Sequence, residues 1–260
     1  MSNDQILIIV PTYNEIENIE KLYFGLKKLG TNFNILFIDD NSPDGSGKWI
    51  DGLTKRDANV RIIHRSHKMG IGSAHLEGIK FAYAQQYKTI ITMDCDFSHS
   101  PEYIKEFLCF RDQYDLVVGS RFIASNCLPN WSFFRKFLTY LGRFLTKTVL
   151  NIPYDATGAY RLYRIDRIDS RLFELATSPG YSFFFESMFI FTVNKIRIKE
   201  VPIVLPARCA GQTKMKVRDM YKSMLVLFST YFKYLINKDS MIKKVETLPH
   251  SYVAKKKCKR

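Results

Sequence analysis

The chain has 260 residues, 46% of them hydrophobic, which is enough for a sizeable folded core and too much for a disordered tail. Its 39 Lys and Arg against 25 Asp and Glu give a formal charge of +14, which asks for an anionic partner: nucleic acid, a membrane surface or phosphorylated substrates. Five cysteines at irregular spacing, with no C-x-x-C pair, argue against a zinc site or disulfide framework and for a reducing compartment. No signal peptide is expected, because Asp4 and Gln5 precede a short first apolar run, and no segment approaches the roughly 20 apolar residues of a membrane span.

Ile6 to Val10 reads as a short apolar strand, followed by Pro11-Thr12-Tyr13-Asn14-Glu15. Asn14 or Thr12 is a candidate cap for the next helix, whose Ile19, Leu22, Tyr23 and Leu26 fall at helical spacing. Glu15 fits two readings: a first-turn acid favoured by the helix dipole, or a group lining a nucleotide pocket. A second strand, Ile35 to Ile38, runs into Asp39-Asp40-Asn41-Ser42-Pro43-Asp44-Gly45, where Asp40 is placed to accept hydrogen bonds from a ribose or base. Gly45-Ser46-Gly47-Lys48 fails as a P-loop, because Ser42 stands where Gly is required and Trp49 where Ser or Thr is. A third strand, Val60 to His64, precedes a helix opened by Gly70-Ile71-Gly72-Ser73-Ala74. Its small residues would let a helix N-terminus approach the sheet or a phosphate closely.

The apolar run Thr89 to Met93 then ends in Asp94-Cys95-Asp96-Phe97-Ser98-His99-Ser100-Pro101. In open α/β sheets ligands sit at the carboxyl ends of strands. Two carboxylates one residue apart repel, and stay ionised at low cost when a cation lies between them. Hard oxygen ligands beside a phosphate-bearing substrate suit Mg²⁺ or Mn²⁺. The tripeptide alone also fits a solvated strand-to-helix turn, or a haloacid-dehalogenase-type phosphatase with Asp94 as nucleophile. The latter wants its motif near the N-terminus. His99 reads as a surface or capping residue.

A helix from Tyr103 to Phe110 and a strand from Asp115 to Val118 follow, leading into Gly119-Ser120-Arg121-Phe122. This alternation predicts a doubly wound, mostly parallel sheet with helices on both faces. Residues 133–149 form an amphipathic basic helix, whose apolar stripe fits a core-facing helix, the commoner case, or one lying on anionic lipid. Asp155 to Arg164 is strand-like with buried-looking polar groups. Gly180 to Val193 is an aromatic helix carrying one acid, Glu186, either turned outward or functional. Ile196 to Leu205 reads as a strand leading into 208–215. The helix over 217–236 groups Tyr221, Met224, Leu225, Phe228, Tyr231, Phe232 and Leu235 on one face, suited to docking at an interface. Residues 237–260 read as a basic flexible tail, with a polybasic lipid anchor as the competing reading.

Together these segments resemble the family 2 glycosyltransferases, of the dolichyl-phosphate (polyprenyl-phosphate) mannosyltransferase type. The resemblance rests on ordered motifs: PTYNE at 11–15, DDNSPDG at 39–45, MDCDFSHSP at 93–101, GSRF at 119–122, DATGAYRLYR at 155–164, and the 208–215 segment. It implies a single GT-A-like catalytic domain over 1–236. Pro11, Tyr13, Glu15, Ile38 and Asp40 would hold the nucleoside, with Cys95 beside it. Asp94 and Asp96 would hold Mg²⁺ or Mn²⁺. Arg121, Arg208 and Lys214 would contact donor or acceptor phosphates, and Arg135, Asp155, Arg161 and Glu186 would lie on the acceptor side. Asn41, Phe184, Ala207 and the loop 123–130 depart from the family pattern, mostly in the acceptor-side half.

The activity so implied is transfer of a sugar, most simply mannose from GDP-mannose, to a polyprenyl phosphate with inversion, by an enzyme held peripherally on the cytosolic face of a membrane. Small anchoring subunits or a second copy are candidate partners. A sister reading has a UDP-sugar donor and a hydroxyl acceptor, for which Asp155 or Glu186 would serve as base. A non-catalytic nucleic-acid binder is the remote reading, and no nucleic-acid motif supports it.

Overall fold

A computed structural model describes residues 5–30, 33–125, 127–206 and 217–242. In chain order it contains β1 (Ile6–Thr12), α1 (Ile16–Lys27), β2 (Phe33–Asp39), α2 (Ser46–Thr54), β3 (Val60–His64) and α3 (Ile71–Ala84). Then come β4 (Thr89–Thr92), α4 (Tyr103–Phe110), β5 (Leu116–Ser120), α5 (Phe133–Val149) and β6 (Arg161–Arg164). The chain continues through α6 (Ser170–Glu174), α7 (Ser182–Val193), β7 (Ile198–Pro202), α8 (Val217–Ile236) and α9 (Lys238–Met241).

The strands form one seven-stranded sheet in the order β3-β2-β1-β4-β6-β5-β7. β1 pairs in parallel with β2 and β4, β2 with β3, and β5 with β7. β6 is antiparallel to both β4 and β5, so those two run parallel to one another although they never touch. The carboxyl ends of β1, β2, β4 and β5 therefore share one edge, where the acidic and basic loop residues collect.

The apolar strands are buried on both faces, as sheets covered by helices require. Along β1, Leu7 and Ile9 enter one core cluster with residues of α3, α6 and α7, while Ile6, Ile8 and Val10 enter another with residues of α1, α2 and α4. Gly70 and Gly72 serve this packing. A Cβ on Gly72 would lie 2.6 Å from the Gly180 carbonyl oxygen and 2.7 Å from that of Ser178, and Gly70 has φ +103°. The start of α3 is thus pressed against the 178–180 loop, whose Pro179 carbonyl accepts from Ser73 N at 3.0 Å.

Helix α1 is capped differently from the expectation. Thr12 Oγ1 donates to the Val10 carbonyl, and no side-chain cap comes from Asn14. Instead the next strand's loop covers the helix start: Ser42 Oγ accepts from Asn14 N, Ser46 Oγ from Glu15 N and Asp44 Oδ2 from Ile16 N, each at 3.0 Å. The amides left orphaned at a helix N-terminus are satisfied across 28 to 31 residues of sequence, which ties the first two loops together.

The core-facing reading of 133–149 is overturned. Phe133, Phe134, Phe137, Tyr140, Leu141 and Phe144 are exposed, and among the residues of α5 only Thr146 is buried. α8 lies against α5 and buries Leu227 and Thr230, while Tyr221, Met224, Leu225, Phe228, Phe232, Leu235 and Ile236 are exposed. No described helix is long and apolar enough to cross a membrane. α9 opens the stretch read as a tail and docks through buried Met241, whose carbonyl accepts from Asn194 Nδ2. Cys95 and Cys127 are buried free thiols.

Candidate active site

The shared carboxyl edge is organised around the loop after β4. The ladder from β1 ends with Met93 N donating to the Ile9 carbonyl, and Asp94 and Asp96 follow at once. Asp94 keeps 27% of its side chain exposed, whereas Asp96 is buried. Asp96 Oδ1 accepts from Ser98 N at 3.1 Å and Ser98 Oγ at 2.5 Å, and Phe97 turns the chain in the left-handed region (φ 58°). His99 is neither a surface residue nor a helix cap. It is 3% exposed, accepts from Asp94 N through Nδ1 at 2.9 Å, and stacks on Tyr160 with ring centroids 4.9 Å apart.

Arg121, one residue past β5, faces this loop. Its Nε and Nη2 donate to the two oxygens of Asp155 at 2.9 and 2.7 Å, and Nη2 also reaches Thr157 Oγ1. Asp155 N in turn donates to Glu200 Oε1 at 2.8 Å. Burial works against the charge on Arg121, but Asp155 outweighs it and the Asp94 carboxylate adds to the effect, so its pKa is raised. Burial likewise pushes Asp155 up, and the Arg121 charge and hydrogen bonds reverse this, leaving it below the ordinary carboxylate value. Thr92 Oγ1 donates to the Ala159 carbonyl at 2.6 Å, fastening β4 to the loop that carries Asp155.

Pro11 lies near the end of β1, and Tyr13 and Glu15 follow it. Lys68 Nζ lies 4.1 Å from the Tyr13 ring centroid, and Glu15 Oε2 accepts from Asn18 Nδ2 at 2.7 Å. Asp40 is buried and engaged within the protein: it pairs with Arg65 and accepts from the Met69 and Gly70 amides at 3.2 and 3.4 Å. Its visible work is to hold the β3–α3 loop over the edge. Ile38 is fully buried in the core, so only its backbone is available there. Arg65 is a residue the sequence reading missed; a cation directly after β3, on the edge that gathers strand ends, was the available signal.

Two of the residues assigned to the acceptor side are turned into the protein. Arg161 is fully buried and spends its guanidinium on the carbonyls of Ala156, Gly158 and Phe184 and on Ser187 Oγ, so it braces the 156–158 loop. Glu186 is buried and turned inward, accepting from Ser178 N at 2.9 Å and Thr177 Oγ1 at 3.4 Å. Arg135 stacks over Trp131 at 3.5 Å, at the base of the exposed aromatic face of α5. Arg208 and Lys214 lie outside the described residues.

The donor set fits a divalent cation. Asp94 and Asp96 offer hard oxygens, and no group of three or more acidic, His or Cys residues closes a cage among the described residues. Two carboxylates with remaining positions left to water and substrate phosphates are the usual provision for Mg²⁺ or Mn²⁺ beside a nucleotide.

The fold is GT-A-like: a mostly parallel α/β sheet with paired carboxylates at the end of a central strand and an arginine opposite. The chain belongs to Glycosyl transferase family 2, whose model matches residues 7–171. It is 34% identical over 212 residues to the undecaprenyl-phosphate mannosyltransferase of Micrococcus luteus, covering 81% of this chain and 87% of that one. Its identity to the polyprenol monophosphomannose synthase of Mycolicibacterium smegmatis is 32% over 221 residues, 84% and 83% of the two chains. Among solved structures it resembles glucosyl-3-phosphoglycerate synthase from Mycobacterium tuberculosis, in complex with Mn²⁺, UDP and phosphoglyceric acid. That likeness has a TM-score of 0.58 and 15% identity, over 89% of this chain and 78% of that one.

Proposed function

We propose that this glycosyltransferase moves mannose from GDP-mannose onto a polyprenyl monophosphate with inversion, working at the cytosolic surface of a membrane. The observation that carries this reading is the state of Asp155 and Glu186. A hydroxyl acceptor needs a base, and these two candidates are both committed, Asp155 to Arg121 and Glu186 to the Ser178 amide. A phosphate monoester needs none, because with a second pKa near ~6 it is mostly dianionic at neutral pH. The names of the two bacterial relatives agree with such an acceptor.

In the step, an acceptor phosphate oxygen forms a bond to the anomeric carbon from the face opposite the leaving group. The bond from that carbon to the β-phosphate oxygen breaks, and GDP departs with the electron pair. Asp94 and Asp96 would hold Mg²⁺ or Mn²⁺, which when bound supplies charge stabilisation to the leaving diphosphate. Arg121, already aligned by Asp155, adds a fixed positive charge near Asp94. Tyr13, Glu15 and Asp40 line the nucleoside end, and Arg208 and Lys214 are assigned to phosphates by the family pattern.

The exposed aromatic faces of α5 and α8 support membrane contact. α5 adds Arg135, Lys136, Arg143 and Lys147 and carries no acid, which suits an anionic leaflet. The reading is tested by incubating the protein with GDP-[³H]mannose, Mn²⁺ and polyprenyl phosphate, then extracting with organic solvent. Label in the organic phase, dependent on the lipid phosphate, is the expected result. Label transferred only to water-soluble hydroxyl acceptors would overturn it.

A further inference from the structure

The loop that carries Asp94 and Asp96 is held from within by its own next residues. The turn at Phe97 engages both acids: Ser98 binds Asp96 Oδ1, and His99 binds the backbone of Asp94. The Asp94 amide is the first beyond the β1–β4 ladder, which ends at Met93 N, so a buried acceptor there satisfies a donor that the sheet no longer serves.

The His99 ring is well fixed for this work. It is stacked on Tyr160, which is fully buried, packs against Phe107 at 4.7 Å and donates its hydroxyl to the Ser100 carbonyl at 2.9 Å. Nδ1 accepts from the Asp94 amide. The Asp94 carboxylate, at 3.8 Å from the same nitrogen, is beyond hydrogen-bond reach of it. The ring therefore sets where the Asp94 backbone lies, and thereby where its carboxylate points.

We propose that His99 is a positioning residue for the cation and donor diphosphate, acting through the backbone of Asp94; this rests on the metal-assisted reading above. Outer partners of metal ligands typically change affinity on the order of 10–100-fold when removed. The test is direct binding of Mn²⁺ in the presence of GDP or UDP, followed by the electron paramagnetic resonance signal of free Mn²⁺, on wild type, His99→Phe and His99→Asn. His99→Phe keeps the flat ring against Tyr160 but offers no acceptor, whereas His99→Asn keeps an acceptor near the position of Nδ1.

The expected result is a loss of Mn²⁺–nucleotide affinity on that scale in His99→Phe, with most of it restored in His99→Asn. Acceptor KM should be unchanged in both. Wild-type affinity in His99→Phe would overturn the assignment. So would loss of the melting transition in both variants without ligand, since the ring would then be a structural post. Binding of Mn²⁺ with UDP but not GDP would refute the donor named above and leave His99 to be judged with UDP. Binding with neither would overturn both.

Discussion

Arg121 and Asp155 meet as a fork on a carboxylate, with both oxygens engaged and the acid fully buried. A pair taken out of water in this way contributes more through what happens when it is broken than through its net strength. Asp155→Asn should destabilise the protein by about 3–5 kcal/mol, and should loosen Arg121 from its place near Asp94. Denaturant titration at pH 7 checks the first effect and donor KM the second. Asp155 has a folded-state pKa below 3.8, so its contribution is present above that value and lost only as acid carries the pH below it.

Asp94→Asn and Asp96→Asn should each abolish Mn²⁺-dependent transfer, by about 10²–10³-fold or more in kcat. They should differ in stability. Asp94 is partly exposed, and its variant should melt like wild type. Asp96 is buried against Ser98, and its variant should melt lower. Calorimetry beside the activity measurement separates the two roles.

His75 sits on α3 with both ring nitrogens unpaired, between Phe183 and Phe184. Burial first, then the charges of Arg161 and His99, lower its pKa from 6.5 to about 3. The unfolded chain therefore takes up a proton that the native state refuses. Stability on this account is full above pH 6.5 and falls as pH drops from there toward 3. From pH 6.5 to 5 the loss is roughly 2 kcal/mol at ~1.36 kcal/mol per unit. His75→Phe should remove that slope, checked by urea unfolding at the two pH values.

Vesicle binding should depend on the aromatic faces of α5 and α8. Phe137→Ser with Phe228→Ser removes two exposed rings and should leave the melting temperature unchanged. Sedimentation with phosphatidylserine vesicles should fall severalfold, and added salt should weaken wild-type binding, each cation near the leaflet counting for about 1 kcal/mol.

Two glycines predict opposite signs. Gly72→Ala drives a methyl into backbone oxygens of the 178–180 loop and should cost about 1–3 kcal/mol. Gly142→Ala, in the middle of α5 with open space around the new methyl, should stabilise by roughly 0.5–1 kcal/mol. Paired melting curves of the two variants test the contrast.

Much of the parallel part of the sheet was legible in the sequence, because buried parallel strands read as apolar runs and the runs at Ile6, Ile35 and Thr89 end in acids or turn residues. The aromatic stripe of α5 was visible too, but periodicity says that a helix has two faces and not which one meets the core. His99 was misjudged for a related reason. Composition assigns a His to the surface, and only the tertiary placement of an amide and an aromatic ring turns it inward. The cap on α1 came from Ser42, Asp44 and Ser46, a long-range contact that local capping rules do not reach.

Strand β6 sits between β4 and β5, pairing Thr92 and Val118 with the same Arg161. Ribosomal synthesis must therefore proceed some seventy positions past the acidic loop before its strand gains a second neighbour. Until then β4 presents a bare row of amides and carbonyls, open to pairing with another nascent chain. The parallel strands β1 to β3 can settle early, while the acidic loop's strand is completed late, and chaperone dependence should concentrate in that interval.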